Sequence, residues 1–274
     1  MSFSVNTNVG AMTALQYLGQ TQGQLNQTQS AINSGLKVAS ARDDGAIFAI
    51  AQNQRGQVAG YTSVIDSLNN ASSSIDVALS AGQSISDLLI QLKTKALSAA
   101  DASIDTASRQ ALNADFTALR DQITTIVNNA TFNGFNLVNG TTNISALASA
   151  DGTRRITTLA ENMSLGGSIV TLKSTASIAT QSSASTLVAT IQTSLTNVNA
   201  ALAKLSAGAA KFSVQATFTQ TLSDTLTAGI GNLVDANMAQ ESATLQSLQV
   251  RQQLGIQALS IANQAPQTIL SLFR

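Results

Sequence analysis

The chain has 274 residues, and its 14 Lys and Arg side chains balance its 14 Asp and Glu side chains, so non-specific attraction to nucleic acid or anionic lipid has no electrostatic source. Cys, His and Trp are absent, which excludes disulfides, thiolate nucleophiles, Ser-His triads and zinc sites built from Cys or His. With 10% charged and 4% aromatic residues and a single Pro, the composition does not favour a compact globular domain. We expect no enzyme, no cofactor and no bound metal.

The N-terminal segment predicts a helix of marginal stability. No charged side chain precedes Lys37, and the companion positions of the apolar line include Gln22 and Gln29. An isolated helix of this kind is barely stable in water. The first ten residues also lack the basic and apolar regions of a cleaved secretory signal, so we expect export by another route. The apolar line, at heptad spacing, consists of Leu18, Leu25 and Ile32.

A long helix with a heptad seam is predicted to follow. Asp43 and Asp44 precede an apolar run at 46–51, and we interpret them as N-cap and first-turn residues rather than as metal ligands. From Tyr61 onwards, small and apolar residues recur in alternating steps of three and four, which is typical of a coiled coil. The seam consists of Val64, Leu68, Ala71, Ile75, Ala78, Gly82, Ile85, Leu89, Leu92, Ala96 and Ala99.

Two further runs with the same steps predict two more long helices. The first of them should fold back antiparallel after a turn at 100–108. Together with the first seam they predict a mainly α fold of long antiparallel coiled-coil helices. The runs are Leu112, Phe116, Leu119, Ile123, Ile126 and Ala130, and then Ile191, Leu195, Val198, Leu202, Leu205, Ala209, Phe212 and Ala216.

The helical period fails between residues 131 and 185, where turn dipeptides accumulate. Residues 169–172 (IVTL) read as a short strand, so we expect a small region of one or two β-hairpins. The turn dipeptides are Asn133-Gly134, Asn139-Gly140, Asp151-Gly152 and Gly166-Gly167.

The C-terminal segment carries two apolar faces on one predicted helix. Because two faces require more than one neighbour, we expect both chain ends to become ordered only when several copies pack together. Gln and Asn residues interrupt both ends, so no bilayer-spanning helix is predicted. One face consists of Leu245, Leu248, Leu259, Ala262, Ile269 and Phe273, and the other of Val250, Leu254 and Ile261.

Both ends of the sequence resemble bacterial flagellin. The N-terminal match comprises residues 4–8 (SVNTN), 33–44 (NSGLKVASARDD) and 49–51 (AIA). The C-terminal match is more specific and comprises residues 234–242 (VDANMAQES), 252–267 (QQLGIQALSIANQAPQ) and 270–274 (LSLFR). A central motif, residues 131–134 (TFNG), fits as well.

The resemblance implies a structural subunit that polymerises into the flagellar filament, the extracellular propeller of swimming bacteria. It implies paired terminal helices forming an inner tube (1–40 and 233–274), a helical rod (41–130 and 186–232) and a small outer turn and β-hairpin region (131–185). Implied partners are other copies of the chain, the filament cap, hook-junction proteins, the flagellar export gate and a secretion chaperone, with export through the flagellar type III channel.

Candidate site residues follow from these interpretations. The Ser- and Thr-rich stretch at 174–186 suggests acceptors for O-linked sugars, namely Ser177, Thr180, Ser182 and Ser183. The expected assembly interface comprises Leu15, Leu18, Leu25, Ile32, Leu245, Leu248, Leu254, Leu259, Ile261, Ile269 and Phe273.

Two alternatives belong to other classes of protein. A hook-filament junction protein shares related end helices, but it predicts a less flagellin-like C-terminus. An enzyme or carbohydrate-binding module on a coiled-coil stalk needs a pocket, and the central segment is short and poor in aromatic residues.

Overall fold

The structure is a computed structural model that describes residues 7–271, with side chains described for residues 7–264. Its elements are α1 (Val9–Ser34), α2 (Gly45–Ala100), α3 (Thr106–Asn129), β1 (Ile144–Leu147), β2 (Arg155–Thr158), α4 (Gln181–Val234) and α5 (Met238–Ser271). The mainly α fold class is confirmed. The chain divides into a terminal unit, which contains the residues up to Gly56 and from Thr225 onwards, and a central unit, Gln57–Asp224.

The core of the central unit is built on the predicted seam of α2. All eleven seam positions from Val64 to Ala99 are buried, which confirms that prediction. The reversal after α2 is also confirmed, although the turn is shorter than expected. Asp105 caps α3 by accepting a hydrogen bond from the Ser108 N–H at 2.9 Å, and the Arg109 guanidinium donates to the Ala99 carbonyl at 2.8 Å. Hydrogen bonds from Ser108 lower the pKa of Asp105.

In α3 and α4 the fully buried companion positions differ from those expected. Leu119, Ile126, Leu195 and Leu202 are only partly buried against the core. Buried instead are Arg120 and Val127 on α3, and Ser194, Ala201 and Gly208 on α4. These α4 positions alternate with Ile191, Val198, Leu205 and Phe212 in steps of three and four.

Small residues occupy those α4 positions because other backbone segments approach closely there. A Cβ built at Gly208 would lie 2.5 Å from Cγ2 of Thr158 on β2. The Ser194 hydroxyl accepts a hydrogen bond from the Thr171 N–H at 3.0 Å. On α3, the Arg120 guanidinium donates to the Ala176 carbonyl at 2.7 Å, which ties the segment before α4 to the helix.

The central segment contains one β-hairpin, with β1 and β2 antiparallel and Ile144 opposite Thr158. The prediction of a strand at 169–172 is wrong. Val170 and Leu172 are fully buried, but within the described residues this segment has no paired strand, and the Thr171 N–H is satisfied by the Ser194 side chain.

The predicted turns at Asn133-Gly134, Asp151-Gly152 and Gly166-Gly167 are present. Asn133 and Gly134 have φ angles of 48° and 82°, and they join Phe132 and Phe135 by a pair of backbone hydrogen bonds of 2.9 Å. Asn139-Gly140 forms a bend rather than a hairpin turn.

We expect Gly208→Val to destabilise the central unit by about 1–3 kcal/mol, because the new side chain must displace the stiff Thr158 side chain. The control is Ala207→Val, at the exposed neighbouring position on α4, which should cost only the difference in helix propensity, about 0.5 kcal/mol. Urea unfolding followed by circular dichroism measures both variants. Equal midpoints would show that the close approach at Gly208 has no energetic importance.

Candidate assembly surface

Helix α1 begins and ends with defined caps. The Asn8 side-chain oxygen accepts a hydrogen bond from the Ala11 N–H at 2.9 Å, and its amide donates to the Ala262 carbonyl at 2.7 Å. At the other end Gly35 adopts φ of 72° and donates its N–H to the Ala31 carbonyl at 2.9 Å, which stops the helix. The first cap therefore also joins the two ends of the chain.

Helices α1 and α5 pair antiparallel in the terminal unit. Besides the Asn8 contact, the Gln252 amide donates to the Gln22 side-chain oxygen at 2.6 Å, and Gly255 lies against Leu18. The buried and half-buried positions of each helix follow heptad steps. On α1 they are Ala11, Ala14, Leu18, Thr21, Leu25, Thr28 and Ile32, with Ala31 buried beside Ile32, and on α5 they are Glu241, Leu245, Leu248, Gln252, Gly255, Leu259 and Ala262.

The seam of α1 therefore differs from the prediction in its companion positions. Gln22 and Gln29 are exposed, and Thr21 and Thr28 take the places beside Leu25. Thr28 is 7% exposed and Leu25 is 6% exposed. The small Thr side chains let the axes of α1 and α5 approach each other. Which positions of α1 are buried therefore depends on the packing of α5 against it.

A second set of apolar side chains in the terminal unit is exposed. We call these residues of α1 and α5 the open face. Most lie on the side of their helix away from the seam. They are Val9, Met12, Leu15, Tyr17, Val250, Leu254, Ile256 and Ile261, each at least 54% exposed.

The structure divides the predicted assembly residues between these two surfaces. Leu25 and Leu248 are buried in the seam, and Leu18, Ile32, Leu245 and Leu259 are partly buried there. Leu15, Leu254 and Ile261 belong to the open face. The Ile269 side chain and Phe273 lie outside the described residues.

Sequence reasoning missed four residues of the open face, namely Val9, Met12, Tyr17 and Ile256. The signal was present on α1, where Val9, Met12 and Leu15 recur at steps of three. It was overlooked because the heptad line through Leu18 and Leu25 explained the helix without a second face.

A short antiparallel β-bridge connects the segment after α1 to the segment between α4 and α5. The Lys37 N–H donates to the Val234 carbonyl at 2.8 Å, and the Ala236 N–H donates to the Gly35 carbonyl at 2.9 Å. These bonds hold the end of α1 beside the junction of α4 and α5.

Asp44 is the N-cap of α2, because its carboxylate accepts hydrogen bonds from the Ala46 and Ile47 N–H groups at 3.0 Å. The helix therefore begins one residue later than predicted: Asp43 lies before the cap, and neither acid is in the first turn. Its carboxylate closes the preceding turn by accepting from the N–H and hydroxyl of Ser40, and these bonds lower the pKa of Asp43.

The hydroxyls of the four candidate sugar acceptors lie in different environments. Ser177 is half-buried and donates to the Asn113 side chain at 2.8 Å. Thr180 and Ser183 hydrogen-bond to each other, and Thr180 caps α4 by accepting from the Ser183 N–H at 3.2 Å. Ser182 is exposed on the first turn of α4.

None of the helices in the described part of the chain combines the length and apolarity needed to cross a lipid bilayer.

Comparison with known proteins identifies the family. The model for the bacterial flagellin N-terminal helical region matches residues 5–143, and the model for the C-terminal helical region matches residues 188–273. Flagellin FljM of Caulobacter vibrioides is 50% identical over 272 residues, covering 99% of this chain and 98% of the relative. A flagellin of Brucella melitensis is 35% identical over 281 residues, covering 99% of each chain.

Among solved structures, the crystal structure of Bacillus cereus flagellin matches with a TM-score of 0.42 and 18% identity, over 65% of this chain and 93% of that chain.

The chain belongs to the bacterial flagellin family. It is a structural subunit that polymerises with its own copies into the extracellular flagellar filament of motile bacteria, and it is not an enzyme. The resemblance found in the sequence is confirmed, and nothing in these comparisons favours a hook-filament junction protein.

Proposed function

We propose that the open face of α1 and α5 is the surface through which copies of the chain bind one another, so that the terminal helices (1–40 and 233–274) form the inner tube of the filament. The observation that carries the proposal is the exposure of eight large apolar side chains on two helices whose other face is already occupied by mutual pairing. Exposed apolar surface of this kind marks interaction sites.

The remaining domain assignments extend the same proposal. The helical rod (41–130 and 186–232) supports the outer wall of the filament, and the turn and β-hairpin region (131–185) forms a small outer surface. Six of the eleven predicted assembly residues lie in the seam, and we propose that they act by holding α1 and α5 together so that the open face is presented to neighbours.

The proposal also covers the export route of the chain and its partner proteins. We propose that the chain leaves the cell through the flagellar type III channel, delivered to the export gate by a secretion chaperone. At the growing end it meets the filament cap, and at the base it meets hook-junction proteins. The support is the resemblance of both ends of the chain to flagellin.

The open face is tested by Leu254→Gln. Gln has a helix propensity similar to that of Leu, so α5 should keep its helicity. Loss of a buried Leu contact, about 1.5–3 kcal/mol, should raise the critical concentration for polymerisation by about tenfold or more. Seeded growth of the purified full-length chain, followed by sedimentation and electron microscopy, measures this concentration.

The matched control is Leu159→Gln, a similarly exposed leucine of the central unit (64% against 57% exposed). It should polymerise at the wild-type concentration. Wild-type growth by Leu254→Gln would contradict the assignment of the open face, and failure of the wild-type chain to form tubes from seeds would contradict the proposed inner-tube role.

We propose in addition that both chain ends gain stable order from neighbouring copies. Hydrogen exchange should be fast along α1 and α5 in the dilute monomer and slow in the filament, because a helix pair with one open apolar face is marginally stable alone. The α2 seam serves as the internal reference, since it should be protected in both states. Slow exchange of α1 and α5 in the monomer would refute this proposal.

Among the candidate sugar acceptors, we propose Ser182 as the principal site, with Ser177, Thr180 and Ser183 as lesser candidates. Ser182 is exposed, whereas the hydroxyls of the other three take part in hydrogen bonds that hold the start of α4 or the segment before it. Filaments sheared from cells that produce the chain should show added mass that Ser182→Ala removes. An intact mass equal to the sequence mass would exclude the modification.

A further inference from the structure

Two charged side chains stand out in the paired terminal helices. No Asp, Glu, Lys or Arg occurs in Val9–Ser34, and Met238–Ser271 contains only Glu241 and Arg251. The two charges are opposite in sign. In a repeating assembly each of them recurs once per copy, so the energetic cost of leaving one buried and unpaired would also recur in every copy.

Neither Glu241 nor Arg251 has an ion-pair partner among the described side chains of its own chain. They lie ten residues apart on one straight helix, which separates them by about 15 Å along its axis, and an ion pair requires contact at about 4 Å. Helix α1, the partner of α5, has no charged residue to offer.

Arg251 lies at a polar groove between α1 and α5. The groove has a volume of about 550 Å³, and six of the nine residues that line it carry a side-chain amide or hydroxyl. Such groups can hydrogen-bond an incoming carboxylate without repelling it, and the guanidinium supplies the charge and a planar fork of donors. Beside Arg251, the groove is lined by Gln24, Gln27, Thr28, Gln240, Thr244 and Ser247, among others.

Glu241 is half-buried in the first turn of α5, where the helix dipole favours an acid. That location accounts for a carboxylate but provides no cation. Open polymers of identical copies use two different patches that complement each other between neighbours. Glu241 and Arg251 are opposite charges at two different places on the same helix, which is the arrangement that such a contact requires.

We infer that Glu241 of one copy forms an ion pair with Arg251 of a neighbouring copy, and that this pair sets the register of α5 helices in the filament. The inference rests on the proposed role of the terminal helices in assembly. It adds a polar contact that selects one alignment, whereas the open face contributes apolar area that favours association without selecting a register.

The test is a charge swap in the full-length chain. Glu241→Arg and Arg251→Glu each place like charges against one another, and each should raise the critical concentration for seeded growth by about tenfold or more. The double variant, Glu241→Arg with Arg251→Glu, restores opposite charges and should return to within about threefold of the wild type.

Matched controls change the same charges elsewhere. Asp76→Arg and Lys211→Glu alter exposed residues of the central unit that have no ion pair among the described side chains, and they should polymerise close to the wild type. Circular dichroism of each monomer checks that helicity is retained. Arg251→Lys should keep most of the activity in assembly, because it retains the charge.

The remaining outcomes overturn the inference. Normal polymerisation of Arg251→Glu would show that Arg251 has no partner carboxylate. If Glu241→Arg and the double variant are equally impaired while Arg251→Glu is not, Glu241 acts through the helix dipole alone. A wild-type chain that fails to polymerise from seeds would contradict the proposed function, whereas a wild-type chain that polymerises without rescue by the swap contradicts only this pair.

Discussion

Burial of helix faces that carry almost no charge is the constraint on which this molecule depends. In the central unit the seam of α2 is buried from Val64 to Ala99. In the terminal unit α1 and α5 pair through Leu, Ile, Ala, Thr, Gly and Gln positions with one acid among them. Charges on such faces would need to be desolvated and paired, and in a polymer that cost would be repeated in every copy. Gln, Asn, Ser and Thr satisfy the polar positions through hydrogen bonds instead.

Small side chains allow the close packing that these faces require, and they contribute little apolar area of their own. Gly208 admits Thr158, and Ser194 admits the backbone at Thr171. Large side chains such as Phe116 and Phe212 are fully buried in the same core. The core of the central unit thus alternates positions where two segments approach closely with positions filled by large side chains. This alternation explains how a chain with few aromatic residues encloses a continuous core.

In the terminal unit the helices carry two apolar faces, and the two faces have different roles. One face is used within the chain, where Leu25 and Leu248 are buried, and the other leaves Leu254 and Ile261 exposed. A chain that exposes such a face while joining its own ends through Asn8 and Ala262 is suited to association with copies of itself. Because the chain belongs to the flagellin family, these copies are the other subunits of the flagellar filament.

The sequence by itself determined the family, the helical class, the α2 seam, the reversal before α3, most of the turns and the two faces of α5, because heptad spacing, turn dipeptides and terminal motifs are local signals. Only the tertiary structure decided which companion positions are buried. Arg120, Ser194 and Gly208 are buried because another segment of the chain packs against them. A hydropathy pattern along one helix contains no information about that segment. The buried run at 169–172 likewise looked like a strand, but strand formation needs a partner backbone, and the Ser194 hydroxyl took that place.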